Sequence, residues 1–71
     1  MTKRQIQNRL RQAGIPASNT HHSGYILKEY AESFEIAYFA FKSDFVEKRL
    51  GDIQEIFSQA IRCGNILVIS K

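Results

Sequence analysis

Two adjacent histidines, His21 and His22, carry the side chains best suited to chemistry in this 71-residue chain. An imidazole changes charge near neutral pH, so either residue could act as a general base. Neighbouring side chains in an extended segment point to opposite sides, and no further histidine or nearby carboxylate would complete a metal site. The single cysteine, Cys63, excludes an intrachain disulfide and a zinc cluster. The sequence therefore predicts neither a metal nor another cofactor.

The remaining polar residues do not combine into a catalytic pattern. Asp44 and Asp52 are explained by helix capping or by exposure, and the four glycines are scattered rather than grouped in a phosphate-binding loop. We therefore predict a non-catalytic protein that works by binding.

Positive charge is concentrated at the start of the chain. Residues 1–24 contain four basic side chains and no acidic one, whereas residues 25–71 contain six basic and seven acidic residues. The four are Lys3, Arg4, Arg9 and Arg11. A basic segment attracts phosphate or an acidic protein, so nucleic-acid binding through these residues is one hypothesis, and a solvated helix face is the other interpretation. Arg9 lies nearest the apolar side of the segment, where its stem could pack while its head group stays in water.

This basic segment has the pattern of a helix. Thr2 and Gln5 have capping-box spacing, and Ile6 and Leu10 begin an apolar stripe of helical period. Gly14 supplies the end of the helix, and residues 16–24 form a loop.

Two strands follow, over residues 25–30 and 34–41, and the short break between them predicts an antiparallel hairpin. Alternation places one set of side chains on one face of the second strand and the other set on the opposite face. The first set is Phe34, Ile36, Tyr38 and Ala40, and the second is Glu35, Ala37, Phe39 and Phe41.

A second helix is predicted over residues 44–63, with Ser43 as its N-cap and Gly51 weakening it by about 1 kcal/mol. The alternative makes residues 45–50 a third strand before a shorter helix. Cys63 at the end of the apolar stripe is interpreted as a buried thiol. Residues 66–69 form a continuous apolar run, which is typical of a strand covered on both faces.

The predicted fold is a single α+β domain over residues 1–71 with the order αββαβ. We expect a three-stranded mixed sheet in the order 2-1-3, with the last strand parallel to the first and both helices packed on one face. The predicted core consists of Ile6, Leu10, Ile26 or Leu27, Ile36, Leu50, Ile53, Phe57, Ile61, Leu67 and Ile69.

Two helices can cover only one face of such a sheet, so a patch containing either Tyr38 or the pair Phe39 and Phe41 would be in water. The predicted interface therefore contains Tyr38, Phe39 and Phe41, and it would bind a second copy of the chain or a partner protein. The other interpretation is that residues 16–23 or the chain ends cover this patch. Stacking on single-stranded bases beside Lys28 is a further interpretation, although the sequence lacks the alternating basic and aromatic residues of common RNA-binding sheets.

The stretch THHSGYILKEY, together with the helix before it and the hairpin, resembles the small HicA-type mRNA-interferase toxins. The resemblance implies a fold like a double-stranded-RNA-binding domain and a catalytic histidine, so RNA cleavage by His21 or His22 is the third hypothesis. In that family the histidine follows Gly-Ser within the sheet, whereas here Ser23 and Gly24 follow the histidines, and a terminal strand is added.

The start of the chain is similar in style to many short bacterial and prophage reading frames, which suggests an accessory protein. It is polar and unlike a signal peptide, and the longest apolar run is too short to cross a bilayer. We therefore expect a cytoplasmic protein that does not enter membranes.

Overall fold

The computed structural model describes all 71 residues as two helices and four strands. Helix α1 spans Lys3–Gln12 and is followed by strands β1 (Gly24–Glu29) and β2 (Ser33–Phe39). Helix α2 spans Ser43–Ile56 and is followed by β3 (Ile61–Cys63) and β4 (Ile66–Ser70). The chain is therefore one αββ unit followed by a second, and the predicted α+β class is confirmed.

Helix α1 begins and ends as its sequence predicts. The backbone N–H of Thr2 donates to the Gln5 side chain at 2.8 Å, and the N–H of Gln5 donates to the Thr2 hydroxyl at 3.2 Å. Gly14 adopts a φ of +78°, and the N–H of Ile15 then donates back to the carbonyl of Leu10 at 3.0 Å. This six-to-one bond defines a Schellman motif, which brings Ile15 into the core beside the helix.

The four strands form one antiparallel sheet in the order β1-β2-β4-β3. The predicted three-stranded mixed sheet in the order 2-1-3 is wrong, because the last strand pairs antiparallel with β2 and not parallel with β1. The extra strand β3 reverses the chain once more after α2, so β4 runs against β2.

The end of α2 explains this difference. The predicted helix over residues 44–63 ends at Ile56, and Ile61–Cys63 forms β3. Ala60, Ile61 and Cys63 happen to continue the helical apolar stripe in phase, so periodicity alone extended the helix too far. Residues 45–50 are helical, which excludes the alternative third strand there, and α2 has no side-chain cap at its start.

A single core lies between the helices and one face of the sheet. Eight predicted core residues are completely buried: Ile6, Leu10, Ile36, Leu50, Ile53, Phe57, Leu67 and Ile69. Of the pair left open, Leu27 packs against this core and Ile26 does not. Ile61 is wrong as a core residue, since 64% of it is exposed. Ile15, Phe34, Tyr38 and Ala60 complete the core.

Candidate interaction surface

The face of the sheet directed away from the core, here called the outer face, is mostly apolar. Cross-strand pairing assigns its members, because paired residues share a face. Ile26 pairs with Ala37, Ala37 with Ile66, and Ile66 with Cys63, which makes one row across all four strands. The next row contains Lys28, Glu35, Val68 and Ile61, and Phe39 lies at the end of β2.

The largest side chains of the outer face are in contact with water. Ile61 is 64% exposed, Ile26 is 42% exposed and Phe39 is 41% exposed. The solvated face of an antiparallel sheet normally carries polar residues in alternation with a buried apolar set. Here the alternation gives two apolar faces, and the helices cover only one of them.

The contacts of Arg62 show which side chains of β3 lie on the inner face of the sheet and which lie on the outer face. It pairs with Leu67 on the inner face, and its Nη2 donates to Glu47 of α2 at 2.8 Å. Because β3 side chains alternate, Ile61 and Cys63 point away from α2 and onto the outer face.

An aromatic corner extends the outer face past the end of β2. The rings of Phe39 and Phe41 meet edge to face with centroids 5.2 Å apart, and Phe41 is 75% exposed. A cleft of about 210 Å³ beside this corner is lined by Ser23, Ala40, Phe41, Lys42 and Phe45. The apolar surface therefore continues from the sheet to the start of α2.

The predicted interface residues separate between the two faces. Phe39 and Phe41 are exposed as expected. Tyr38 is only 7% exposed and its ring packs against Phe45 of α2 at 6.0 Å, so it is wrong as a member of an exposed patch. The predicted alternation had separated Tyr38 from the other two, and α2 covers the side that carries Tyr38. Residues 16–18 pair with the edge of β1, and the exposure of Ile26, Phe39 and Ile61 shows that neither the loop nor the chain ends cover the outer face.

The outer face has almost no net charge. Its two ionised residues, Lys28 and Glu35, are cross-strand partners on β1 and β2. The Tyr30 hydroxyl lies 3.5 Å from the Glu35 carboxylate at the same end of the hairpin. Unlike charges side by side leave a surface that neither attracts nor repels a charged partner at long range.

The four basic residues of α1 do not all remain available to a ligand. Arg9 donates from Nη2 to the carbonyl of Ile56 at 2.6 Å, and its guanidinium lies 4.7 Å from the centre of the Phe57 ring. Lys3, Arg4 and Arg11 are exposed and form no ion pair within 4 Å. Three of the four positive charges are therefore free on the helix layer, on the opposite side of the molecule from the outer face.

The two histidines lie in a loop that is better anchored than its sequence suggests. The Asn19 side chain accepts hydrogen bonds from the backbone N–H groups of His21 at 2.8 Å and His22 at 3.0 Å. Both imidazoles are exposed and neither forms a hydrogen bond within the chain. The anchoring therefore holds the backbone and leaves the rings unpositioned.

Cys63 also differs from its prediction, because it is exposed on β3 and not buried in a helix. Sequence reasoning missed five outer-face residues: Ile26, Ile61, Cys63, Ile66 and Val68. Gly64-Asn65 could have revealed the four on β3 and β4, since two such residues between apolar runs are typical of a tight hairpin turn, and Gly64 has the required positive φ of 63°.

No protein-family model, curated protein or solved structure matches this chain. Neither helix has the length and apolar character needed to cross a membrane. No group of three or more histidine, cysteine, aspartate or glutamate side chains is arranged to hold a metal ion.

Proposed function

We propose that this protein is a non-catalytic protein-binding module that acts through the outer face of its sheet. One observation carries the proposal: four strands present a continuous apolar surface to water although the chain has two helices, both of which pack on the other face. Exposed apolar surfaces of this kind mark interaction sites.

The free energy gained by burying exposed apolar side chains favours a partner for this surface. Leaving a large apolar side chain in water forgoes about 1.5–3 kcal/mol relative to burying it. Ile26, Phe39, Phe41 and Ile61 all remain 41–75% exposed, so their burial by a partner would be favourable. Aromatic residues such as Phe39 and Phe41 are also enriched at the buried centres of protein interfaces.

The sheet edges are less suitable than the outer face. At the start of β1, the N–H of Tyr25 already donates to the carbonyl of Pro16 at 3.0 Å, and the N–H of Ser18 donates to the carbonyl of Tyr25 at 2.9 Å. The opposite edge, β3, has only three residues. An added strand would therefore find few free backbone groups in a row, and we place binding on the face.

We further propose an accessory role in the cytoplasm of a bacterium or its prophage. The exposed, unpaired thiol of Cys63 supports a reducing compartment, because such a thiol is prone to oxidation elsewhere.

Site-specific photo-crosslinking in cells tests the proposal. A benzophenone amino acid in place of Phe39 lies on the outer face, and the same group in place of Gln12 lies on the exposed surface of α1 as a matched control. We expect a crosslinked protein product from position 39 and none from position 12. No product from position 39, or equal products from both, would contradict the proposal.

Nucleic-acid binding is a second candidate, and the free charges of Lys3, Arg4 and Arg11 favour it. With Arg9 engaged at Ile56, three phosphate contacts predict a log–log salt slope of about −2 to −3. Substituting both Arg4 and Arg11 by Gln should flatten that slope, whereas Lys48→Gln on α2 should leave it unchanged. Binding that does not respond to salt would remove this candidate.

For His21 and His22 we propose no catalytic role. General-base catalysis requires the imidazole to be held within hydrogen-bond reach of its proton donor, and a cation is needed beside the phosphate. Neither histidine ring has an intrachain partner that would orient it. We expect intact protein to leave RNA uncleaved, and cleavage that disappears in a His21→Ala, His22→Ala double variant would overturn this.

A further inference from the structure

We infer that the outer face binds the outer face of a second copy of this chain, which gives a dimer with its layers in the order helices, sheet, sheet, helices. The inference rests on the proposed function and specifies its partner. It is carried by the charge of the outer face, by the position of the basic residues and by the size of the surface.

Charge favours a second copy over an acidic or basic partner. The outer face carries one positive residue, Lys28, and one negative residue, Glu35, which are cross-strand partners. Two such faces therefore approach without net repulsion, and the face offers nothing that would select a strongly charged ligand. By contrast, α1 contains no acidic residue, so two α1 surfaces would repel each other.

The arrangement also separates the basic helices of the two copies. Sheets pack about 10 Å apart, and each adds a helix layer about 10 Å thick, so the two α1 helices would lie roughly 30 Å apart. The Debye length at physiological salt is about 8 Å, so their mutual repulsion is screened. In a face-to-face dimer of chains with a net charge of +3 each, the basic α1 helices are therefore far enough apart that their repulsion is weak.

The size of the surface places the dimer among small, reversible interfaces. Four strands about 4.8 Å apart and about five residues long cover roughly 300 Å² in projection on each copy. Protruding side chains make the accessible area larger, so two faces together approach the lower end of specific interfaces, about 1,200 Å². We therefore expect a weak, reversible dimer, and the concentrations below are chosen around a working dissociation constant of about 50 µM.

Light scattering and sedimentation over a concentration series, with reductant present, test the inference. We expect the mass to rise from that of one chain at about 5 µM towards that of two chains at about 500 µM. Ile61→Lys and Phe39→Lys should each weaken association at least about tenfold, because each would bury a charge at the interface. Gln12→Lys adds the same charge on α1 and should leave association unchanged. Circular dichroism checks that each variant is folded.

Cys63 gives an independent readout, because its exposed thiol lies on the outer face of β3. Its alkylation by iodoacetamide should be about fourfold slower at 500 µM than at 5 µM if only the monomer reacts. In the Ile61→Lys variant a dimer weakened about tenfold leaves at least about half of the chains monomeric at 500 µM, so the slowing should be no more than about twofold. A fourfold change that persists undiminished in this variant would contradict the inference.

The outcomes separate this inference from the proposed function. A single-chain mass at every concentration, or a dimer that tolerates Ile61→Lys, overturns the inference. If the isolated protein is monomeric while a photo-crosslinker at position 39 captures a different protein, the proposed function stands and only the second copy is excluded. If the protein is monomeric and position 39 captures nothing, both are wrong.

Discussion

Arg9 joins the two helices through a contact that serves three purposes. Its guanidinium donates a hydrogen bond to one of the otherwise unpaired carbonyls at the end of α2 and lies over the Phe57 ring. It also places positive charge at the negative end of the α2 dipole. A residue that looks like a phosphate ligand in the sequence is therefore committed to packing.

Removing this contact should destabilise the fold. We expect Arg9→Ala to lower the free energy of unfolding by about 1–2 kcal/mol, since a charged hydrogen bond and the ring contact are both lost. Arg9 and Arg4 are both exposed, but Arg4 makes no such contact, so Arg4→Ala should change stability by less than about 0.5 kcal/mol. Urea denaturation measures both. Equal losses in the two variants would contradict the role given to Arg9.

Glu29 ties β1 to the last residue of the chain. The Lys71 ammonium donates to its carboxylate at 2.8 Å and lies 5.0 Å from the centre of the Phe34 ring. This hydrogen bond, and the positive charges of Lys71 and Lys3, hold the pKa of Glu29 below its ordinary value of 4.5. The ionised carboxylate is therefore favoured in the folded state.

The sign of the pH dependence follows from that direction. A carboxyl group with a lowered pKa in the folded state contributes stability at pH values above about 4.5, and the contribution is lost as the pH falls through the folded pKa. We expect Lys71→Met to raise the pKa of Glu29, as measured by carboxyl NMR titration, and to reduce the stability difference between pH 6 and pH 3. Lys48→Met replaces an exposed lysine of α2 and should leave the Glu29 titration unchanged.

At the scale of single elements, Gly51 lowers the stability of α2. The residue lies inside the helix, and a Cβ added there would meet nothing within 4 Å. Gly51→Ala should therefore raise the free energy of unfolding by about 1 kcal/mol through helix propensity. Gly64→Ala is the matched control. Its backbone φ of +63° disfavours a side chain, so we expect a loss of about 1 kcal/mol by thermal or urea denaturation.

The edge of β1 depends on a glycine for a different reason. A Cβ at Gly24 would overlap the backbone of Ala17 and Ser18, which packs directly against it. Gly24→Ala should push this segment away from β1 and cost about 2 kcal/mol. Hydrogen exchange at the amides of Ser18 and Tyr25, which bond across this contact, should accelerate with the loss of stability. Unchanged exchange there would contradict the close packing.

Local signals explain which elements could be predicted. The capping box at Thr2 and the left-handed Gly14 bound α1 on both sides, and two separate apolar runs mark the first hairpin. In the second half the end of α2 is hidden in the pattern, because Phe57 and Ile61 have helical spacing across it. Gly64-Asn65 marks the turn that follows, and pairing with β4 makes Ile61 a strand residue. The candidate surface was accordingly predicted at Phe39 and missed at Ile61.

At the scale of the whole molecule, the two broad surfaces differ in chemistry. The helix side carries the free positive charges of Lys3, Arg4 and Arg11, whereas the outer face of the sheet is apolar and nearly uncharged. In the proposed dimer, this separation buries the apolar surface and leaves the charged surface in water. We propose that association takes place on the outer face.

Isoleucine methyl NMR tests that claim most directly, because isoleucines occur on both sides of the sheet. Ile26, Ile61 and Ile66 lie on the outer face, and Ile6, Ile53 and Ile69 lie in the core. Between about 10 µM and about 500 µM protein we predict that the first three methyl signals shift or broaden and the other three stay fixed. Shifts confined to the core or to α1 would contradict the claim, as would no shift at any concentration together with none on adding a protein captured at position 39.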